Sequence, residues 1–482
     1  MLFVFLLTVL VLGIFFLCIS TSNNILYLRK IALATSIIVF YLSLFLWIFF
    51  DKTSLFFQYL TFFQWFSFFN ISFLLGIDGL SLFFVILTTF LMPICILSSW
   101  KVIKTNVKEF FILFLFLELL LILVFTVLDL MLFYIFFESV LIPMFLIIGI
   151  WGSRERKIKA SYFFFIYTLF GSLIMLMGLL LILFDTGTTN LIILLTHKFS
   201  YDRQLLLWIM FFASFIVKIP SIPVHIWLPE AHVEAPTVGS VILAGLLLKL
   251  GTYGLLRFSF PLFPEGTQYF TPLVYTIALI SVVYSSLTTI RQIDLKRIIA
   301  YSSVAHMNFS LFGLFSNTIQ GIEGGIILMI SHGFVASALF LIIGILYDRY
   351  HTRLLKYYSG LTTVMPIFSI LFLFFSLSNL GLPGTSSFVG EMLILVGITQ
   401  HNLFVAVLSG AGIILGSIYS IWLYNRICFG NLKIQYNTNY IDVTKREFYT
   451  VLPLLLLTLA MGIYPKIFFD NIYNVTLLLL YY

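Results

Sequence analysis

FFASFIVKIPSIPVHIWLPEAHVEAPTVGSVILAGLLLKLGTYGLLRF, residues 211–258, contains parts of two apolar runs, 205–222 and 238–259, each with one lysine in its interior. Each run is near the roughly 20 residues that a helix needs to cross a bilayer. Pro220 and Pro223 follow Lys218 closely, and a proline lacks the N–H that a continuous helix would use. The stretch therefore reads as a membrane helix with a break, followed by a second membrane helix with a cation inside it.

Outward from this stretch the pattern repeats. Apolar runs fall at 2–19, 31–50, 80–99, 110–128, 131–150, 161–184, 271–290, 298–316, 323–346, 364–399, 403–428 and 449–468, which with the first two makes fourteen. The run 364–399 is too long for one straight helix, and Gly381-Leu382-Pro383-Gly384 interrupts it, so it reads as a second broken span. Over the 482 residues 61% are hydrophobic and 9% charged, too few polar groups to wet a soluble domain of this size. The expected fold is an all-α polytopic membrane protein of about fourteen transmembrane helices in one membrane domain, residues 1–482. The apolar start, 2–19, reads as a first span and not a cleaved leader, because a basic n-region and a small-residue cleavage site are lacking.

The basic residues test this count. Alternating the loops puts nineteen Lys and Arg on one side and five on the other, with Lys218 and Lys249 inside spans. Basic loops face the matrix or cytoplasm, so both termini are expected on the opposite, intermembrane-space side. The net charge of +7 is thus explained by topology, and a nucleic-acid partner is not indicated. The longest polar stretch, 431–447, reads as a loop. Cys18, Cys95 and Cys428 lie far apart and form neither a disulfide framework nor an iron–sulfur motif.

Ionisable groups inside spans cost at least ~2.5 kcal/mol each on insertion scales, and so require a reason. Glu138, Lys218, Lys249 and Glu391 are such groups, with Glu118, His306 and His332 alongside. Static ion pairing or helix packing would account for any one of them. As a set they suit proton transfer, because burial penalises the charged form of both carboxyl and amine and so favours proton exchange. The expectation is that Glu138 and Lys218 pair as a switch, Lys249 relays, and Glu391 is the exit group. Carbonyls freed by Pro220 and Pro223 could take water or the Lys218 ammonium. His306, and with less support His332, could carry protons between lysine and glutamate, since imidazole titrates near neutrality; each could equally be a packed histidine. Pro229 between His225 and His232, with Pro223 just outside, argues against a shared metal face. Gly410-Ala411-Gly412 with Gly416 lies inside an apolar run and reads as close helix packing.

Four blocks carry a resemblance: KIPSIPVHIWLPEAHVEAPTVGSVILAGLLLKLGTYGLLRF (218–258), MLFYIFFESVLIPMFLIIGIWG (131–152), DLKRIIAYSSVAHMN (294–308) and NLGLPGTSSFVGEML (379–393). Together they resemble the chain 4 family of NADH dehydrogenase, complex I subunits related to cation/proton antiporters. The resemblance implies fourteen spans: three first spans (1–99), two inverted five-helix repeats at 110–259 and 271–428, and a last span at 449–468. It also implies broken seventh and twelfth spans and a proton path through Glu138, Lys218, Lys249, His306 and Glu391. In that family NAD, FMN, iron–sulfur clusters and ubiquinone are held by other subunits, so this chain is expected to bind none of them and no metal. Its expected partners are the other complex I subunits, above all the neighbouring antiporter-like chains, and lipids.

Related families compete. A chain 5 subunit would carry a long lateral helix after its last span, where only about fifteen residues follow Pro465. A subunit of a multi-chain Na⁺/H⁺ antiporter shares the buried Lys and Glu and is the main alternative, against which HVEAPT (232–237) speaks. A scaffold bundle with idle charges is a third reading. Heavy use of Phe (56 residues) with few Ala suggests an AT-rich genome, so organelle coding and a mitochondrial inner membrane are expected before a bacterial or plastid setting.

Overall fold

The structure, a computed structural model, describes residues 1–22, 24–66, 71–433, 436 and 440–481. The polar stretch 431–447 falls partly outside them, at 434, 435 and 437–439. Among the described residues eleven helices are long and apolar enough to cross a membrane, from Leu2–Ile19 to Lys445–Ile463. The apolar runs not among these eleven are helical as well, as Tyr201–Lys218, Leu295–Leu314, and the pair Pro366–Leu380 and Ser386–His401.

Both expected breaks are present. Tyr201–Lys218 ends two residues before Pro220, and helix resumes only at Trp227–Glu234. In the second, Pro366–Leu380 closes on Gly381 in the left-handed conformation (φ +83°), and Ser386–His401 begins after Pro383. Gly381 donates to Ser378 O and Leu382 to Leu377 O, both at 3.1 Å, a Schellman closure that satisfies the helix's last carbonyls.

The all-helical expectation needs one amendment. Gln58–Phe66 and Ile71–Ile77 form an antiparallel hairpin between the second and third spans. Their aromatic and β-branched residues suit a pleated surface, and polar Gln and Ser keep the segment below the apolarity of a span. A further helix, Lys466–Tyr481, follows the last span.

The chain forms two compact units. The first comprises Met1–Ile219, Leu246–Pro272 and Asp470–Tyr482; the second comprises Pro220–Gly245 and Leu273–Phe469. In the first unit, Leu128 donates to Leu74 O of the hairpin and accepts from Leu191 N, both at 2.9 Å, while Leu130 donates to Thr189 O. This short ladder sets the start of the helix Leu130–Ser139, capped by Asp129, whose carboxylate accepts from Met131 N, Leu132 N and the Thr189 hydroxyl. The second unit repeats the device. Leu295 donates to Arg353 O, Leu355 donates to Ile293 O, and Asp294 caps Leu295–Leu314. An aspartate cap with a two-bond backbone clasp thus starts the fifth and tenth apolar runs alike.

Asp78 and Arg257 anchor the first unit. Asp78 caps Gly79–Ser99 in a capping box with Ser81, and both of its oxygens accept from the Arg257 guanidinium at 2.7 and 2.6 Å. Burial alone would raise the Asp78 carboxyl; the Arg257 charge and hydrogen bonds from Arg257 and Ser81 outweigh it and hold the group below its usual range. Gly79 beside it admits the Asn471 backbone, whose carbonyl would lie 1.8 Å from an added Cβ.

Removing one partner of such a buried pair is expected to cost about 3 kcal/mol. Asp78→Ala should therefore lower the thermal midpoint of the assembled protein and its yield in membranes, both measurable by native gel after graded heating. Because the folded carboxyl titrates below its unfolded value, the pair's contribution is complete above that value and is lost only as pH falls through the folded one. The wild-type midpoint should be insensitive to this pair between about pH 5 and 8.

Candidate functional site

In the first unit, Glu138 stands one residue before the end of Leu130–Ser139, where the chain turns at Val140 into Leu141–Trp151. Pro143 explains the interruption: its ring opposes the carbonyl of Ser139, four residues earlier. Glu138 is half-buried and its Oε1 has no hydrogen-bond partner among the described residues. Lys218, in the last turn of Tyr201–Lys218, is 2% exposed. Each of the two feels the other's charge, yet they form no contact ion pair among the described residues. The Lys218 ammonium lies instead over the Phe137 ring, 4.5 Å from its centroid. It also has no hydrogen bond to a carbonyl freed by the prolines, contrary to one expectation above. A cation–π contact holds the ammonium without discharging it into the carboxylate.

Lys249 is fully buried in Leu248–Gly254, a short helix between two π-helical segments, Leu243–Leu247 and Leu255–Ser259. Two residues on, Gly251 faces Phe215 O and Lys218 Cβ, which an added Cβ would meet at 2.7 and 3.2 Å. Gly254 faces the Phe215 ring, 2.3 Å from such an atom. Bare backbone thus brings the two lysine-bearing helices together. Glu118, in Val107–Thr126, is completely buried with neither oxygen hydrogen-bonded among the described residues.

In the second unit, Glu391 sits in Ser386–His401 just past the break, and His306 in Leu295–Leu314. His306 Nδ1 lies 3.5 Å from Glu391 Oε1, and its Nε2 lies 3.5 Å from the Tyr419 hydroxyl. The His332 ring is 5.8 Å from that of His306, centroid to centroid. His306, Glu391, Asn379 and Tyr419 line a cavity of about 20 Å³, room for one water. Gly381 presses on the carboxylate: an added Cβ would stand 2.4 Å from Glu391 Oε2. Of the glycines read as packing residues, Gly412 is at close approach, to Val282, whereas Gly410 faces open space. His232 stacks on Phe340 at 4.7 Å.

The first unit therefore gathers Glu138, Lys218, Lys249 and Glu118, and the second gathers His306, His332 and Glu391. Sequence reasoning missed Phe137, Tyr419 and Asn379. Phe137 was one of 56 phenylalanines, and Tyr419 is one of 25 tyrosines, in a run whose serines and glycines read as helix packing.

Broken helices and clustered buried charges define a class, the antiporter-like subunits of polytopic membrane complexes. A family model described as "NADH:quinone oxidoreductase/Mrp antiporter, TM" matches residues 127–418, which hold every residue of this site except Glu118 and Tyr419. The chain is 60% identical to NADH-ubiquinone oxidoreductase chain 4 of Marchantia polymorpha, over 95% of its own length and 93% of the relative's. Against the Arabidopsis thaliana chain 4 the identity is also 60%, with the same coverage. A chain of respiratory complex I from Thermus thermophilus with bound NADH superposes with a TM-score of 0.89 at 28% identity, covering 99% of both chains. A chain of the Mrp complex from Dietzia sp. DQ12-45-1b shares the fold, with a TM-score of 0.84 at 19% identity, covering 98% of this chain and 51% of that one. The chain belongs to the NADH:quinone oxidoreductase/Mrp antiporter family, in its NADH-ubiquinone oxidoreductase chain 4 branch, and is a membrane subunit of respiratory complex I.

Gly381→Ala tests the cradle of Glu391. A left-handed alanine costs roughly 1 kcal/mol, and its methyl must displace the carboxylate from His306. Assembly should survive on native gels while the ratio of protons pumped to NADH oxidised falls; an unchanged ratio would show that Glu391 is not held in place by this contact.

Proposed function

We propose that this subunit carries protons across the membrane when electrons pass from NADH to ubiquinone elsewhere in the complex. The route runs from Glu138 and Lys218 through Lys249 to His306 and Glu391. The observation that carries this reading is the state of Lys218: a buried ammonium within the field of Glu138, held on an aromatic face rather than in a closed ion pair. Small changes in the separation of Glu138 and Lys218 alter the cost of charging either one, so a distant redox event that biases the separation biases proton uptake and release. The His306, Glu391 and Tyr419 cluster, beside a water-sized cavity, suits the exit step, with imidazole passing a proton to carboxylate. His332 extends the imidazole pair, and Glu118 stands as a further acceptor near the entry.

In this reading residues 110–259 and 271–428 are the two inverted repeats, a division that the recurring aspartate clasp supports. NAD, FMN, iron–sulfur clusters and ubiquinone belong to partner subunits. The setting is the mitochondrial inner membrane, with both termini on the intermembrane-space side, in line with the plant relatives and the basic-loop asymmetry.

The test is to purify the complex with Lys218→Ala, reconstitute it in vesicles, and measure NADH-driven quinone reduction and proton pumping together. Loss of about 3 kcal/mol of transition-state stabilisation corresponds to roughly 100-fold, so both rates should fall by at least tenfold while assembly is retained. Unchanged pumping removes Lys218 from the route. Exchange of Na⁺ for H⁺ by a chain that copurifies with no NADH oxidation would replace this reading with the antiporter one.

A further inference from the structure

The second unit contains a large cavity, about 740 Å³, that the proton route does not use. It lies where the helices Pro264–Arg291 and Leu403–Cys428 end, and the segments 354–359 and 429–433 complete its wall. Arg291, Lys356, Arg426 and Lys433 line it, and among the described residues its lining includes no Asp or Glu. Asp294, close by in sequence, is turned away to cap its own helix, accepting from Lys296 N at 3.0 Å. The Lys433 ammonium donates to Lys356 O at 2.8 Å.

Two features give the cavity its character. Both flanking helices are long and apolar enough to cross a membrane and both end here, so the cavity belongs at the edge of the apolar layer, on the side where the alternation of loops collects the basic residues. Apolar and aromatic surface accompanies the cations: Trp422 lines the wall and Phe429 is 54% exposed. Four cations with no ion pair to Asp or Glu among the described residues, one of them (Lys356) also lying over the Tyr357 ring at 5.1 Å, repel one another around one volume and favour a multivalent anion, and the adjoining aromatic groups suit acyl or glycerol carbons. Basic pockets between membrane helices on this face bind phosphate-bearing headgroups. The basic residues also suit the carbonyl ends of their helices, but that role needs no shared cavity and does not account for Lys356 and Lys433, which lie outside both helices.

We infer that the cavity lined by Arg291, Lys356, Arg426 and Lys433 is a binding site for the phosphate headgroup of an anionic phospholipid, whose acyl chains leave along Trp422 and Phe429. The lipid would neutralise the cluster and fasten the ends of the two spans to segment 354–359.

The intact complex in detergent, depleted of lipid, is labelled with a photoactivatable phosphatidylglycerol, and the labelled peptides are mapped by mass spectrometry. The expected result is labelling within 422–433 or 354–359 that excess phosphatidylglycerol competes away and phosphatidylcholine does not. In Arg291→Gln with Arg426→Gln it should fall at least tenfold. Competition by inorganic phosphate as effective as by phosphatidylglycerol would overturn the lipid reading in favour of a free-anion site. Absence of labelling, or crosslinks from these residues to an acidic segment of another subunit, would overturn it altogether. The wild-type competition decides the matter even if the double variant does not assemble.

Discussion

A bilayer offers no water to an unpaired backbone group, so a helix can break inside it only where the freed N–H and C=O groups find protein partners. Everything that makes this chain more than a bundle of greasy helices follows from its two breaks. At the first, within the second unit, Ile222 N donates to the Ser281 hydroxyl at 2.9 Å, and the Asn308 amide bonds Val304 O while its Oδ1 accepts from Ser221 at 2.6 Å. At the second, the chain satisfies itself: the closure on Gly381, the Thr385 hydroxyl on Leu382 O at 2.7 Å, and the Ser387 hydroxyl on Ser378 O. The first break borrows side chains from neighbouring helices; the second is self-contained.

The two solutions bear on how charge is held. Near the first break, the first unit leaves the Lys218 ammonium on the Phe137 ring with no hydrogen-bond partner among the described residues. Near the second, the carboxylate of Glu391 is packed against Gly381 and has His306 at 3.5 Å. An aromatic face favours the charged ammonium without accepting its proton, whereas a carboxylate facing an imidazole has a partner that can give or take one.

The sequence displays the spans, the two breaks and the list of buried charges, because each is a local property: apolar length, proline and glycine, and a charged letter inside an apolar run. The arrangement of the charges is not local. Nothing in IFFESV distinguishes Phe137 from Phe136 as the ring beneath a lysine eighty residues away. The π segments around Lys249 are likewise invisible, since LAGLL and LLRFS are ordinary helix-forming text. The strands Gln58–Phe66 and Ile71–Ile77 are not legible because aromatic runs of that length suit short strand and helix equally, and only pairing decides.

The helix packing assigns different freedoms to the two lysine and histidine centres. Around Glu391 the helices meet backbone to backbone: an added Cβ at Gly324 would lie 2.8 Å from Ile394 N, at Gly390 3.0 Å from Leu328 backbone, and at Gly397 2.6 Å from Gly321 Cα. Helices locked this closely at three glycine contacts cannot slide without clashing. The helix that carries Lys249 is built the other way. A five-residue π segment stands on each side of it, Leu243–Leu247 and Leu255–Ser259, each a single-turn bulge of the kind that interrupts an α-helix. The backbone around Lys249 thus departs from regular α-helix, whereas that around Glu391 is fixed by close backbone contact.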